Sequence, residues 1–102
     1  MATLEQMTER FRAAVGSDSG VGATLKFDLK GDGVIWIGAD AVTNDDSPAD
    51  LTITIAKDDL EAMGKGDLDP TSAVMTGRMK LSDMGMAMQL QPKLQALFAK
   101  AR

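Results

Sequence analysis

Residues 50–90 of the chain read DLTITIAKDDLEAMGKGDLDPTSAVMTGRMKLSDMGMAMQL. The hydrophobic spacing of this stretch and its Gly and Pro residues predict a strand, two short helices, a second strand and a third helix, in that order. Six of the eight methionines of the chain lie between Met63 and Met88. Because methionine is unbranched and polarizable, it fills irregular core space and also suits a pocket that accepts varied ligands. The residue pattern alone favours a packed core, with a cavity as the alternative.

The same stretch contains five short motifs in a fixed order, at residues 50–55, 60–64, 69–73, 77–81 and 83–88. In this order they resemble the lipid-binding domain of the sterol carrier protein 2 family. Members of that family typically carry a similar Thr/Ile strand, a helix ending in Met-x-Gly, a helix starting at Asp/Asn-Pro, a strand starting at Gly and a Met-Gly-rich helix. One departure is Ser82, where the family usually has glycine, and this affects only the local turn.

The resemblance implies a sheet of about five strands whose helix-covered side encloses an elongated apolar cavity. It also implies reversible binding of a lipid such as a fatty acid, a fatty acyl-CoA or a sterol-like molecule. Some related domains resemble accessory modules that present lipid-like intermediates to biosynthetic enzymes, for instance in quinone synthesis. The resemblance therefore favours a cavity over a packed core, and the accessory module is the alternative function.

The first half of the chain predicts one helix followed by a strand. Thr3 and Gln6 have the spacing of a capping box, and Gly16 ends the helix ahead of a loop at residues 17–22. Residues 24–30 alternate between polar and apolar, as expected of a strand with one buried face. The apolar stripe of the helix consists of Leu4, Met7, Phe11, Ala14 and Val15.

A glycine-rich hairpin turn at residues 31–33 leads into a second predicted strand at residues 34–38. That strand is more uniformly apolar, so its sequence leaves open which side chains face inwards. Its Trp36, the only tryptophan, is assigned to the floor of the cavity. A third, weaker strand is predicted at residues 41–43.

Aspartates in the second half are predicted to begin the short helices. Asp58 or Asp59 is expected to cap the first of them, because an aspartate side chain accepts a hydrogen bond from the exposed N–H groups of the first turn. Asp69 is expected to cap the second, with Pro70 as the first helical residue. Asp83 is expected to cap the third.

Metal-based and nucleophilic chemistry are not indicated. The chain has no cysteine and no histidine, which excludes disulfides, thiolate metal sites and the usual general base. The acidic loop at residues 44–48 and the run that starts at Asp67 both lack the glutamate that completes a calcium loop. The paired aspartates lie at turns and caps, where they have structural roles. We therefore predict no catalytic residue, no metal site and no cofactor.

Two features of the C-terminal part bear on the cavity. Gly85 lies inside the third helix, where glycine costs about 1 kcal/mol relative to alanine, so close approach of a strand or a ligand to the backbone is expected. Pro92 is predicted to start a separate final helix that ends at residue 100. Its side chains Leu94, Leu97 and Phe98 are expected to face inwards, and we interpret this helix as a lid over the cavity.

The composition fits one globular domain over residues 1–102. The net charge is −4 at pH 7 and the basic residues are scattered, which argues against a nucleic-acid partner. No apolar run approaches the roughly 20 residues of a membrane span. The first ten residues are polar, unlike a signal peptide, and the final Lys-Ala-Arg is not a peroxisomal address. A cytoplasmic location is predicted.

The predicted fold is α+β, with a mixed, mostly antiparallel sheet of about five strands, helices over one face and an apolar cavity between them. The predicted partners are a lipid, a membrane in transient contact and a partner enzyme. The candidate lipid-binding residues are those expected to face the cavity: Phe27, Trp36, Ile53, Ile55, Met63, Met75, Met79, Met84, Gly85, Met88, Leu94, Leu97 and Phe98.

Overall fold

A computed structural model describes residues 3–16 and 20–100 of the chain. Residues 17–19 of the predicted loop and the last two residues of the C-terminal tripeptide lie outside the described residues. The elements in chain order are α1 (Leu4–Val15), β1 (Leu25–Asp28), β2 (Val34–Ile37), β3 (Val42–Thr43), β4 (Leu51–Ile55), α2 (Lys57–Gly64), α3 (Pro70–Met75), β5 (Met79–Leu81) and α4 (Met84–Lys100).

The strands form one sheet in the order β3-β2-β1-β4-β5. Strands β1 and β4 run parallel, and the other neighbouring pairs run antiparallel. Helix α1 packs against α4 and β3, and α3 packs against β5. The predicted α+β fold, with a mixed and mostly antiparallel sheet, is confirmed.

One face of the sheet is buried, as the alternation of apolar and polar residues in β1 and β4 predicts. The inward residues of β1, β2 and β4 are at most 2% exposed, whereas the residues between them are half-buried. In β2 the inward residues are Ile35 and Ile37, because they lie directly opposite Phe27 and Leu25 of β1. Residues paired across antiparallel strands point to the same face, so Trp36 points to the other face. The placement of Trp36 on the cavity floor is therefore wrong.

The N-terminal helix is fixed by its cap and by one aromatic contact. The N–H of Gln6 donates to Oγ1 of Thr3 at 3.1 Å, and the N–H of Thr3 donates to Oε1 of Gln6 at 2.9 Å, which confirms the capping box. Phe11, on the inward face of α1, stacks on Phe27 with ring centroids 5.2 Å apart. Helix α1 therefore covers the centre of the sheet.

The short helices differ in how they begin. Ala56 is the N-cap of α2 and makes no side-chain cap bond, so the prediction of an Asp58 or Asp59 cap is wrong. Those two aspartates lie in the first turn, where their negative charge interacts favourably with the helix dipole. Asp69 accepts from the N–H of Ser72 at 3.1 Å, as predicted, with Pro70 at the start of α3.

Helix α4 is longer than the sequence suggests. It runs without a break from Met84 to Lys100 with Pro92 inside it, so the prediction of a separate final helix that starts at Pro92 is wrong. The predicted Asp83 cap is confirmed by a 3.0 Å bond from the N–H of Met86 to the Asp83 carboxylate. Leu97, near the end of the helix, is 1% exposed and belongs to the core. The C-terminal segment is therefore the second half of a docked helix, and its role as a lid stays a prediction.

Candidate functional site

A groove with a volume of about 330 Å³ lies between α3 and α4, over the β4–β5 edge of the sheet. The sheet supplies its floor and the two helices supply its walls. The residues that line it are Ile53, Met79 and Leu81 from the sheet, Pro70, Thr71, Val74 and Met75 from α3, and Met84, Ala87, Met88, Gln91, Leu94, Gln95 and Phe98 from α4.

Caps and a turn that are encoded in the local sequence fix the positions of the two walls. The Asp69 cap and Pro70 fix the start of α3, and Gly77 after its end has a positive φ of 77°, a conformation that suits glycine. This turn leads directly into β5, where Leu81 pairs with Ile53 of β4. The opposite wall starts at the Asp83 cap of α4. The groove is thus framed by short, capped connections on either side of an edge strand.

The lining is apolar and uncharged. Among the described residues that line the groove, none is charged, and the polar side chains are Thr71, Gln91 and Gln95. Met75, Met84 and Met88 are 82%, 50% and 69% exposed, an unusual exposure for large apolar side chains that lie together around one opening. On a soluble protein, a cluster of exposed apolar residues typically marks a binding surface. Their flexible side chains suit an apolar ligand of variable shape.

The structure brings seven of the thirteen candidate residues together in this groove: Ile53, Met75, Met79, Met84, Met88, Leu94 and Phe98. The sequence interpretation missed Ala87, Gln91 and Gln95 on α4, together with Pro70, Thr71, Val74 and Leu81. The α4 residues follow a helical stripe with spacings of three and four residues. That signal was present, but it is visible only if residues 84–100 are taken as one helix, and Pro92 argued against doing so.

The other six candidates do not line the groove. Phe27 and Ile55 are fully buried, and Leu97 and Met63 are at most 4% exposed, so these four belong to the core. The indole N–H of Trp36 donates to the carbonyl of Pro48 at 3.0 Å, away from the groove.

Gly85 is exposed on α4. If residue 85 carried a Cβ, the nearest described atom would be a carboxylate oxygen of Asp83, at 3.4 Å. No other described atom would lie within 4 Å, apart from its chain neighbours and the nearby helix backbone. The predicted close approach of a strand to this glycine is therefore wrong.

A second cavity of about 350 Å³ lies between α1 and α2. Its apolar lining comes from buried residues such as Met7 and Phe11, and Arg10 and Lys65 also line it. Phe11 makes an edge contact with Phe98 of the groove, with ring centroids 6.1 Å apart. The aromatic contact thus lies between the two cavities.

The described part of the chain contains neither a cluster of metal ligands nor a membrane-spanning helix. Among residues 3–16 and 20–100, no three or more carboxylate, histidine or cysteine side chains are grouped so that they could hold a metal ion. Within the same residues, no helix combines the length and the apolar character needed to cross a bilayer.

Comparison with known proteins gives a consistent result. The model of the family described as "SCP-2 sterol transfer family" matches residues 4–95. Sterol carrier protein 2 of Oryctolagus cuniculus is 49% identical over 49 residues, which cover 47% of this chain and 9% of that protein. The matched segment is therefore a small part of the length of this curated relative.

Solved structures share the fold. The sterol carrier protein 2 like 2 from Aedes aegypti superposes with a TM-score of 0.72 at 23% identity, over 85% of this chain and 92% of that chain. The sterol carrier protein domain 2 of Helicoverpa armigera superposes with a TM-score of 0.61 at 25% identity, over 92% of this chain and 76% of that chain.

Proposed function

The chain belongs to the SCP-2 sterol transfer family, and on that premise we propose that it binds a lipid reversibly in the groove between α3 and α4. The ligand class is a fatty acid, a fatty acyl-CoA or a sterol-like molecule. In this proposal the chain acts as one lipid-binding domain in the cytoplasm, contacts membranes transiently and catalyses no reaction.

The uncharged, methionine-rich lining of the groove is the observation that supports this proposal best. Ligand sites are usually concave and mostly apolar, with a few polar groups that orient the ligand, and they start at about 300 Å³. The groove has these properties. The exposed rim residues Met75, Met84 and Met88 line the same groove as the buried floor residue Ile53, which supports entry of a long apolar ligand from the surface.

The residues near the groove offer little for catalysis. The chain has no histidine and no cysteine, which are the commonest side chains for base and nucleophile roles. The two carboxylates closest in sequence to the lining, Asp69 and Asp83, each accept a hydrogen bond from a helix N-terminus. A structural role explains both of them.

The test compares two substitutions that place the same charge on neighbouring positions of α4. Met88 lines the groove and is 69% exposed, so Met88→Glu should leave the fold intact while placing a carboxylate among apolar groups. Gln89→Glu is the matched control, because Gln89 is exposed and does not line the groove. Titration with a fluorescent fatty acid and a fluorescent sterol should show at least about tenfold weaker binding for Met88→Glu and an unchanged affinity for Gln89→Glu.

Either of two results would refute the proposal. One is that the wild-type protein binds neither probe. The other is that Met88→Glu binds both probes as tightly as the control variant does. Circular dichroism of all three proteins keeps a loss of fold distinct from a loss of binding.

The accessory role remains the second hypothesis, and purification from the native host distinguishes it from a carrier. Native mass spectrometry that shows an adduct of lipid mass supports the carrier. Stoichiometric copurification of one biosynthetic enzyme, retained after Met88→Glu, supports the accessory module. Cell fractionation tests the cytoplasmic location.

A further inference from the structure

The polar residues of the groove indicate which lipid head groups it accepts. We infer that the groove selects a lipid whose head group is uncharged and forms hydrogen bonds, such as a hydroxyl or a carbonyl, and that Gln91 and Gln95 contact this head group. A free carboxylate is disfavoured. The inference rests on the proposed function and narrows the ligand class that it allows.

Gln91 and Gln95 are placed to act together. They are four residues apart on α4, so their side chains are neighbours on one face of the helix, and both line the groove. A glutamine amide offers two donors and an acceptor, which matches either a hydroxyl or a carbonyl. Neither side chain forms a hydrogen bond with any described residue, so both amides are available to a ligand.

Pro92 removes one backbone donor from the same part of α4. In a regular helix the N–H of residue 92 would donate to the carbonyl of residue 88, and proline has no N–H. Pro92 therefore cannot make this bond to the carbonyl of Met88, a residue that lines the groove. A lipid hydroxyl is able to replace a missing N–H donor, whereas an ionised carboxylate has no hydrogen to donate.

A carboxylate head group would meet no positive charge in the groove. No Lys or Arg is among the described lining residues. Lys93, between the two glutamines in sequence, has its ammonium beside Gly22, 3.8 Å from the position that a Cβ of that residue would take. Asp69 and Asp83 each directly precede a lining residue, and the chain carries a net charge of −4. An unpaired carboxylate loses hydration without compensation at such a place.

The experiment uses four ligands that share one hydrocarbon length. Oleyl alcohol, methyl oleate, oleate and 1-octadecene compete with the neutral dye Nile red at pH 8, where oleate is ionised. We expect oleyl alcohol to compete at least tenfold better than oleate and at least fivefold better than 1-octadecene. The comparison with 1-octadecene is needed because any apolar groove prefers an alcohol to an ion.

Two sets of variants locate the head group. Gln91→Leu combined with Gln95→Leu should remove the advantage of oleyl alcohol over 1-octadecene, and Gln89→Leu should keep it. Gln95→Lys should improve oleate at least tenfold, because the lysine supplies the missing positive charge, and Gln89→Lys should not.

Each outcome decides one question. If none of the four ligands displaces the dye, the proposed function fails and the inference fails with it. If all four displace it but oleate equals oleyl alcohol, only the inference is overturned. It is overturned as well if the leucine variants keep the alcohol preference or if Gln95→Lys leaves oleate binding unchanged.

Discussion

Asn44 connects α1 to the sheet through a single amide group. Its Nδ2 donates to Oγ1 of Thr8 at 2.9 Å and to the carbonyl of Val34 at 2.9 Å. Thr8 is 1% exposed, so its hydroxyl has little access to water. Each lost hydrogen bond costs about 1 kcal/mol net, and we therefore expect Asn44→Ala to lower the free energy of unfolding by about 2 kcal/mol.

A double-mutant cycle isolates the bond between Asn44 and Thr8. Thr8→Val keeps the shape of the side chain and removes the hydroxyl. In that background Asn44→Ala loses only the bond to Val34, so its cost should fall to about 1 kcal/mol. The coupling energy between the two positions is then about 1 kcal/mol, within the range of contacting residues.

Urea unfolding followed by circular dichroism measures the four free energies. With a slope of about 1–3 kcal/mol per molar urea, Asn44→Ala should lower the midpoint by about 1 M. Asp45→Ala is the control in the same loop, since its side chain is exposed like that of Asn44 but makes no hydrogen bond to a described residue, and it should contribute less than about 0.5 kcal/mol. If Asn44→Ala costs the same with Thr8 and with valine at position 8, the bond is not made in solution and the reasoning is wrong.

Two further predictions test the sheet and the groove wall. Phe27→Asp should abolish cooperative thermal unfolding, because a charge would replace a fully buried ring. Lys80→Asp, on the exposed face, should change the free energy of unfolding by less than about 0.5 kcal/mol. Similar melting curves for the two variants would contradict the assigned faces. Asp69→Ala should lower the free energy of unfolding by about 1 kcal/mol, since it removes the cap on the N–H of Ser72. Asp67→Ala, which loses no such bond, is the control. Equal denaturation midpoints for the two variants would show that the cap does not stabilise α3.

Alternation predicts two of the strands because their two faces have different surroundings. In β1 and β4 the outward positions are Lys, Asp and Thr, so period two is visible in the sequence. In β2 the sequence is VIWI, and every residue is apolar. The facing of Trp36 is decided by its pairing with Lys26 on the outer side of β1. Local sequence does not contain that information, which comes from the register between strands.

Helix α4 shows how tertiary contacts override a local signal. Proline inside a helix costs about 3 kcal/mol relative to alanine, which is why Pro92 predicts a helix start. The burial of Leu97 and the edge contacts of Phe98 with Phe11 and Phe27 offset that cost, since burying one large apolar side chain contributes about 1.5–3 kcal/mol. These contacts join residues far apart in the chain, so a pattern read along the sequence underestimates them.

The Asn44 contact had no local signal at all. The sequence around it reads as an acidic loop, and its partner Thr8 lies 36 residues away on α1. Asparagine in a loop is usually explained by turn formation. Only the approach of α1 to the loop after β3 identifies Asn44 as a residue that fixes a helix.

The same helix α4 serves the core and the groove, but the two roles are distributed unevenly along it. Met84 and Met88, in its first half, are exposed and contact the groove, so substitutions there should change binding with little effect on stability. Phe98 lines the groove and also packs edge-on against Phe11 and Phe27, so its loss should affect both. Gln91 and Gln95 lie between these regions, on either side of Pro92 in the sequence. Substitutions at Gln91 and Gln95 should therefore change the proposed ligand selection without weakening the aromatic contacts that hold α4 to α1.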